Sequence, residues 1–120
     1  MHIVELIGRI FLSVLFLING ISKILYYEGT LEYMENFNIP GYLLIPAIII
    51  EILFPLLVII GYKTKLAALV LALFAALLAI IFHTDFSNQM QLMSFLKNFA
   101  IAGGFLIIFI KGPGKYSIDQ

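Results

Sequence analysis

The 120-residue sequence contains no cysteine. The chain therefore makes no disulfide and no thiolate metal site, and carries no persulfide or sulfenate of its own, so any thiol chemistry belongs to a partner. Charge is scarce and balanced, with 12% charged residues and seven Lys+Arg against seven Asp+Glu. That leaves no basic excess of the kind a nucleic-acid-binding surface needs. No alanine precedes Ala47, which removes the small-residue cleavage site of a secretory signal, and the first apolar stretch reads as a retained helix. Apolar residues dominate instead: 62% of the chain is hydrophobic and the mean hydropathy is +1.09. These values describe an integral membrane protein. Four spans of about 20 residues would use roughly 80 positions, so no separate soluble catalytic domain is expected.

The expected fold class is all-α, an antiparallel four-helix bundle treated as one membrane domain over residues 1–120. The hydropathy pattern places spans at about 4–27, 42–61, 66–83 and 92–110. Between the first two, Glu28 to Gly41 is polar and acidic, and the spacing of Leu31, Met34 and Phe37 predicts a short amphipathic helix on the membrane surface, ended by Ile39-Pro40-Gly41. Pro46 and Pro55 are tolerable in a span where neighbouring helices satisfy the freed carbonyls. Lys63, Lys65, Lys111 and Lys115 fall in the second loop and the tail, whereas the stretches 26–41 and 84–91 contain no Lys or Arg. The positive-inside rule then puts both termini in the cytoplasm, in the cell (inner) membrane.

Ionisable groups within a span cost roughly 2.5–3.5 kcal/mol on insertion scales, so each requires a partner, a cavity or a route to the interface. In the first span Arg9, Ser13, Phe16, Gly20 and Lys23 share one helical stripe. That stripe must face the bundle, and Gly20 would let another helix or a flat ligand approach closely. Glu51 lies near the middle of the second span, the most costly placement in the chain. Arg9 is long enough to reach it, so a buried Arg9–Glu51 pair is expected; a functional reading makes the same residues a proton relay beside a redox ligand. Ala68, Ala72, Ala75, Ala76 and Ala79 give the third span a small-residue face, with Ala100, Gly103 and Gly104 as its expected counterpart. His83 ends the third span at the level of Lys23, within reach of Lys97 and Asn98. It serves either as a capping or interfacial group or, with Lys23, Asn98 and Gly20, as part of a ligand site. It is no persuasive metal ligand, because the other histidine, His2, is expected on the opposite side of the membrane, and a haem with two axial histidines is excluded within one chain. No nucleotide-binding loop or nucleophile elbow is present.

Taken in order, Gly8-Arg9, Gly20-Ile-Ser-Lys23, Glu51, Gly61-Tyr-Lys-Thr64, His83, Asn98 and the terminal Gly112-Pro-Gly114 with Ser117 and Asp119 resemble the DoxX family of small four-helix membrane proteins along essentially the whole chain. The resemblance implies a place in membrane redox work, since some relatives are subunits of thiosulfate:quinone oxidoreductase and others accompany complexes that handle thiol or oxidative stress. Two functions follow. In one, the chain is a redox subunit whose polar pocket binds a quinone or another lipophilic ligand, with electrons supplied by a partner oxidoreductase or sulfur-handling protein. In the other, the polar cluster only locks the bundle, and the chain is a non-catalytic anchor for such a partner. Beyond the lipid bilayer itself, a homo-oligomer is left open.

Overall fold

A computed structural model describes residues 2–112 and 114; the terminal landmarks Pro113, Lys115, Ser117 and Asp119 lie outside the described residues. Among these there are five α-helices, one 3-10 turn and no strand: α1 (His2–Leu25), α2 (Tyr27–Asn36), the 3-10 turn Gly41–Leu43, α3 (Leu44–Ile60), α4 (Thr64–Phe82) and α5 (Gln89–Lys111). Four apolar stretches are long enough to cross a membrane: Ile3–Leu25, Gly41–Ile60, Thr64–Phe82 and Gln89–Lys111. The protein is an all-α membrane bundle with a short surface helix between its first two spans.

Local chemistry sets the boundaries. Tyr26 leaves helical geometry (φ −116°, ψ 46°) and separates α1 from α2, two residues before the end expected for the first span. The surface helix α2 buries Met34 and leaves Glu28, Glu32 and Glu35 exposed. It ends earlier than Ile39, because Asn38 adopts a left-handed conformation (φ 60°) while the Ile39 amide donates to the Met34 carbonyl, a closure that an Asn tolerates better than most residues. Gly61 (φ 78°) terminates α3, with the amides of Gly61 and Tyr62 both donating to the Leu57 carbonyl. The fourth span begins at Gln89 because the Asn88 side chain caps it, accepting from the Met90 amide at 2.9 Å and the Gln91 amide at 3.4 Å.

The helices associate as two tight pairs, α1 with α3 and α4 with α5; α3 against α4 joins the pairs, and α1 and α5 touch only sparsely. The core is Phe16, Val58, Ala67, Ala68, Leu71, Ala72, Ala75, Ala102 and Phe105. The Phe16 ring meets Phe74 of α4 and Phe105 of α5 at centroid distances of 6.3 and 5.8 Å, so one side chain of α1 reaches both helices of the other pair. The small-residue face of α4 is buried at Ala67, Ala68, Ala72, Ala75 and Ala79. Its counterpart differs from expectation: Ala100 is exposed and Gly103 has open space before it, while Ala102 and Phe105 turn inward and Gly104 meets Leu12 of α1. Gln91, Ser94, Asn98, Ala102 and Phe105 follow helical spacing on one face, and keeping that face inward points Ala100 away.

The glycines of this bundle differ in what a side chain would meet. A Cβ on Gly20 would come within 2.7 Å of Ile52 Cγ1, 3.2 Å of Glu51 Cβ and 3.4 Å of the Glu51 carbonyl carbon, whereas a Cβ on Gly104 would meet only Leu12 side-chain carbons and one on Gly8 would meet nothing within 4 Å. Ile52 Cγ1 and Glu51 Cβ, one or two bonds from the α3 backbone, cannot yield as a leucine tip can, so thermal unfolding in detergent should rank the alanine variants. Gly20→Ala should cost about 1–3 kcal/mol, Gly104→Ala less, and Gly8→Ala should stay within about 0.5 kcal/mol of the parent.

Candidate functional site

Glu51 is completely buried and Lys23 retains a quarter of its side-chain exposure. Lys23 Nζ donates to both carboxylate oxygens, at 2.8 Å to Oε1 and 2.7 Å to Oε2. The register follows from Gly20: with no Cβ there, α1 lies close against α3 at Glu51 and Ile52, and Lys23, nearly one turn further along α1, extends over the carboxylate. Pro55 is buried inside α3, four residues after Glu51. A proline has no amide hydrogen, so the Glu51 carbonyl is relieved of its usual helical bond at the same level.

The structure therefore corrects the expected Arg9–Glu51 pairing, because it gives Glu51 a different cation and Arg9 a different task. Arg9 Nη1 donates to the carbonyl of Val58 at 2.9 Å and of Ile59 at 3.3 Å. These carbonyls belong to the last turn of α3, which has no further helical amides to receive and carries the negative end of the helix dipole. Antiparallel packing is the physical reason. Arg9 is near the start of α1 and meets the end of α3, two helical turns from Glu51, whereas Lys23 is near the end of α1 and meets Glu51. Ser13 is fully buried between these two levels, and its Oγ has no partner among the described residues.

Lys23 and Glu51 form part of the wall of a cavity of about 510 Å³ between the two helix pairs, under α2. His83 and Asn98 also line it; Gly20 and Arg9 do not. Of the expected ligand residues, the cavity thus gathers Lys23, His83 and Asn98 and adds Glu51, while Gly20 acts from behind by setting the α1–α3 distance. His83 Nδ1 faces Gln91 Oε1 at 3.1 Å, which leaves Nε2 as the ring atom without that engagement. Asn19, Ser94 and Tyr33 also line the cavity and were not anticipated. Ser94 was legible in principle, four residues before Asn98 on the same face. Most of the remaining wall is apolar, including Leu15, Ile50, Phe74 and Leu78.

The surface helix closes one end. Tyr33 stacks on Phe82 of α4 (5.3 Å, 25°), and Phe37 meets the same ring edge-on (4.8 Å, 71°), so α2 is fastened to the end of α4. Partial burial of Tyr33 against the bundle raises its pKa above the ordinary value, and it stays an O–H donor at neutral pH. No group of three His, Cys, Asp or Glu residues able to hold a metal ion occurs among the described residues. The arrangement offers hydrogen-bond donors and one carboxylate to a ligand that is otherwise apolar.

A buried pair of this kind makes a testable demand. Removing one member strands the other, at a cost of about 3–5 kcal/mol, while replacing both by apolar residues is much milder. Lys23→Leu and Glu51→Leu should each lower stability sharply, and the double variant should recover most of the loss; denaturation midpoints that simply add would show the two residues to be uncoupled.

The chain is 41% identical to Inner membrane protein YqjF of Escherichia coli (strain K12) over 115 residues, covering 96% of this chain and 88% of that protein. It is 32% identical to Inner membrane protein YphA of the same organism over 122 aligned positions, covering 96% and 87% respectively. No solved structure matches the chain. Residues 4–84, which carry the Lys23–Glu51 pair and end just past His83, match the DoxX family, and the protein is an integral membrane member of that family.

Proposed function

We propose that this chain is the membrane subunit of a quinone-linked oxidoreductase complex and holds a quinone headgroup in the cavity beside Lys23 and Glu51. The observation that carries the reading is an ion pair on the wall of an otherwise mainly apolar cavity of about 510 Å³, a volume within the usual range for small-molecule sites. An ammonium has three N–H bonds, and Glu51 receives two hydrogen bonds from Lys23. The third N–H is available to a ligand carbonyl oxygen. The Asn98 amide offers a further donor on the α4–α5 side, so a ring with two opposed carbonyls has partners at both ends, while His83, whose Nδ1–H faces Gln91 Oε1, presents Nε2 as an acceptor for the hydroxyl of the reduced ring. When bound, a quinone supplies reversible uptake of two electrons and two protons. Lys23 Nζ is a proton-bearing atom on the wall, and the Glu51 oxygens stabilise its positive charge. Cysteine is absent from the sequence, and electrons come from a partner oxidoreductase or sulfur-handling protein.

The names of both relatives support placement in the cytoplasmic (inner) membrane. The Lys63 and Lys65 turn and the Lys111 helix end share one end of the bundle with the start of α1, and this lysine-rich end faces the cytoplasm. A reporter fused after Gln120 should accordingly be active only in its cytoplasmic form; activity of an exported reporter would reverse the orientation.

Lipid extracted from gently purified protein should contain quinone in near-stoichiometric amount. A folded Lys23→Leu, Glu51→Leu double variant should lose it, and a folded His83→Ala, Asn98→Ala variant should bind a short-tailed benzoquinone about tenfold more weakly, the size of one lost hydrogen bond. Parent protein that neither retains nor binds a quinone would overturn the reading.

A further inference from the structure

The route into the cavity is readable from how α1 and α5 separate. In the half of the bundle nearer the chain termini they are in contact: Leu12 fills the space before Gly104, and Phe16 meets Phe105. Two turns beyond Leu12, and less than one beyond Phe16, comes Asn19 on α1; two turns from Gly104 on α5, at the corresponding height, come Lys97 and Asn98. All three line the cavity. Asn19 and Lys97 are also exposed, and neither has a partner among the described residues. Tyr33, Leu43, Pro46 and Leu77 on the wall are exposed too, but Asn19 and Lys97 are the polar pair that stands where α1 and α5 separate, and there they mark an opening of the cavity. The sparse α1–α5 contact agrees with this, as does the end of the cavity, where Thr30, Tyr33, Met34 and Ile39 of the α2 segment lie across it.

We infer that the gap between α1 and α5, framed by Asn19 and Lys97, is a lateral portal through which the ligand enters from the bilayer rather than from water. An amide and an ammonium on the outer surface of a span are costly, and Asn19, unlike lysine, is too short to reach the interface. At a portal both gain a use: they supply hydrogen bonds to the polar end of a lipophile as it leaves the hydrocarbon. The substrate class is thus a membrane-dissolved molecule with a polar head and an apolar tail, the tail remaining in the gap. This inference rests on the quinone reading for the identity of the ligand, but the portal itself is a property of the helices.

The absence of native cysteine makes a direct test simple. In phosphatidylethanolamine and phosphatidylglycerol vesicles, bimane attached at Ser94→Cys should be quenched strongly by a nitroxide-labelled fatty acid dissolved in the bilayer and weakly by aqueous iodide. Adding Asn19→Trp should suppress the lipid-phase quenching, and Asn19→Ala should not. In the otherwise native chain, Asn19→Trp should slow labelling by a photoreactive short-tailed benzoquinone about tenfold while final occupancy changes little, the mark of a blocked path rather than a lost contact. Quenching dominated by iodide, or lipid-phase quenching indifferent to Asn19→Trp, would overturn the portal even if quinone binds. A parent protein that shows the lipid-phase quenching but no quinone labelling would keep the portal and remove the quinone. If Asn19→Trp fails to fold, Asn19→Phe takes its place, with the same two readouts deciding.

Discussion

The buried Glu51 carboxylate is the constraint around which the α1–α3 half of this protein is arranged. A bare carboxylate inside a bilayer is not sustainable, so a cation must meet it, and the cation must arrive without opening the packed seam between the two helices. Gly20 meets that requirement by letting the α1 backbone lie on Glu51 and Ile52, after which Lys23 reaches both oxygens. Pro55 loosens the α3 hydrogen-bond ladder at the same height. Gly20, Lys23, Glu51 and Pro55 are separate features in the sequence and one feature in space.

The two ends of α3 solve different problems. At its C-terminal end Arg9 donates to the last carbonyls, a use that suits a guanidinium with several donors. In the middle a single compact ammonium serves better, because two of its three N–H bonds neutralise Glu51 and one remains directed elsewhere. Exchanging the two cations would lose both fits. The cavity exists because the second helix pair, anchored through Phe16, does not close over this region: Phe16 holds α4 and α5 against α1 at one level, and beyond it the helices part beneath α2.

The class of fold was legible because it follows from composition and from four apolar stretches separated by turn-forming residues. The surface helix was legible because its three glutamates cannot enter a bilayer and Met34 cannot leave the protein. The partner of Glu51 was not, since helical spacing shows which residues share a stripe and says nothing of how far one helix slides along another. Arg9 and Lys23 lie on the same face of α1; only the antiparallel register, fixed by the contact at Gly20, decides which of them reaches Glu51. His83, Asn98 and Lys23 could be placed at one level by counting from helix ends. Asn19 could not be assigned to the cavity, because it lies off the stripe and its contribution depends on α5 standing away from α1. The inward face of α5 was misjudged for a related reason: small residues at 100, 103 and 104 were weighed as packing sites, while the polar face through Ser94 and Asn98 controls the rotation of the helix.

The pairing of helices has a consequence for how the protein is made. The tightest partners are consecutive spans, α1 with α3 and α4 with α5, so each pair can settle as a hairpin during synthesis without waiting for distant sequence. The Lys23–Glu51 bond lies wholly within the first hairpin. The two charges that would be hardest to leave in lipid can therefore neutralise each other before the second hairpin has been translated, and the later helices dock onto a surface whose electrostatic problem is already solved.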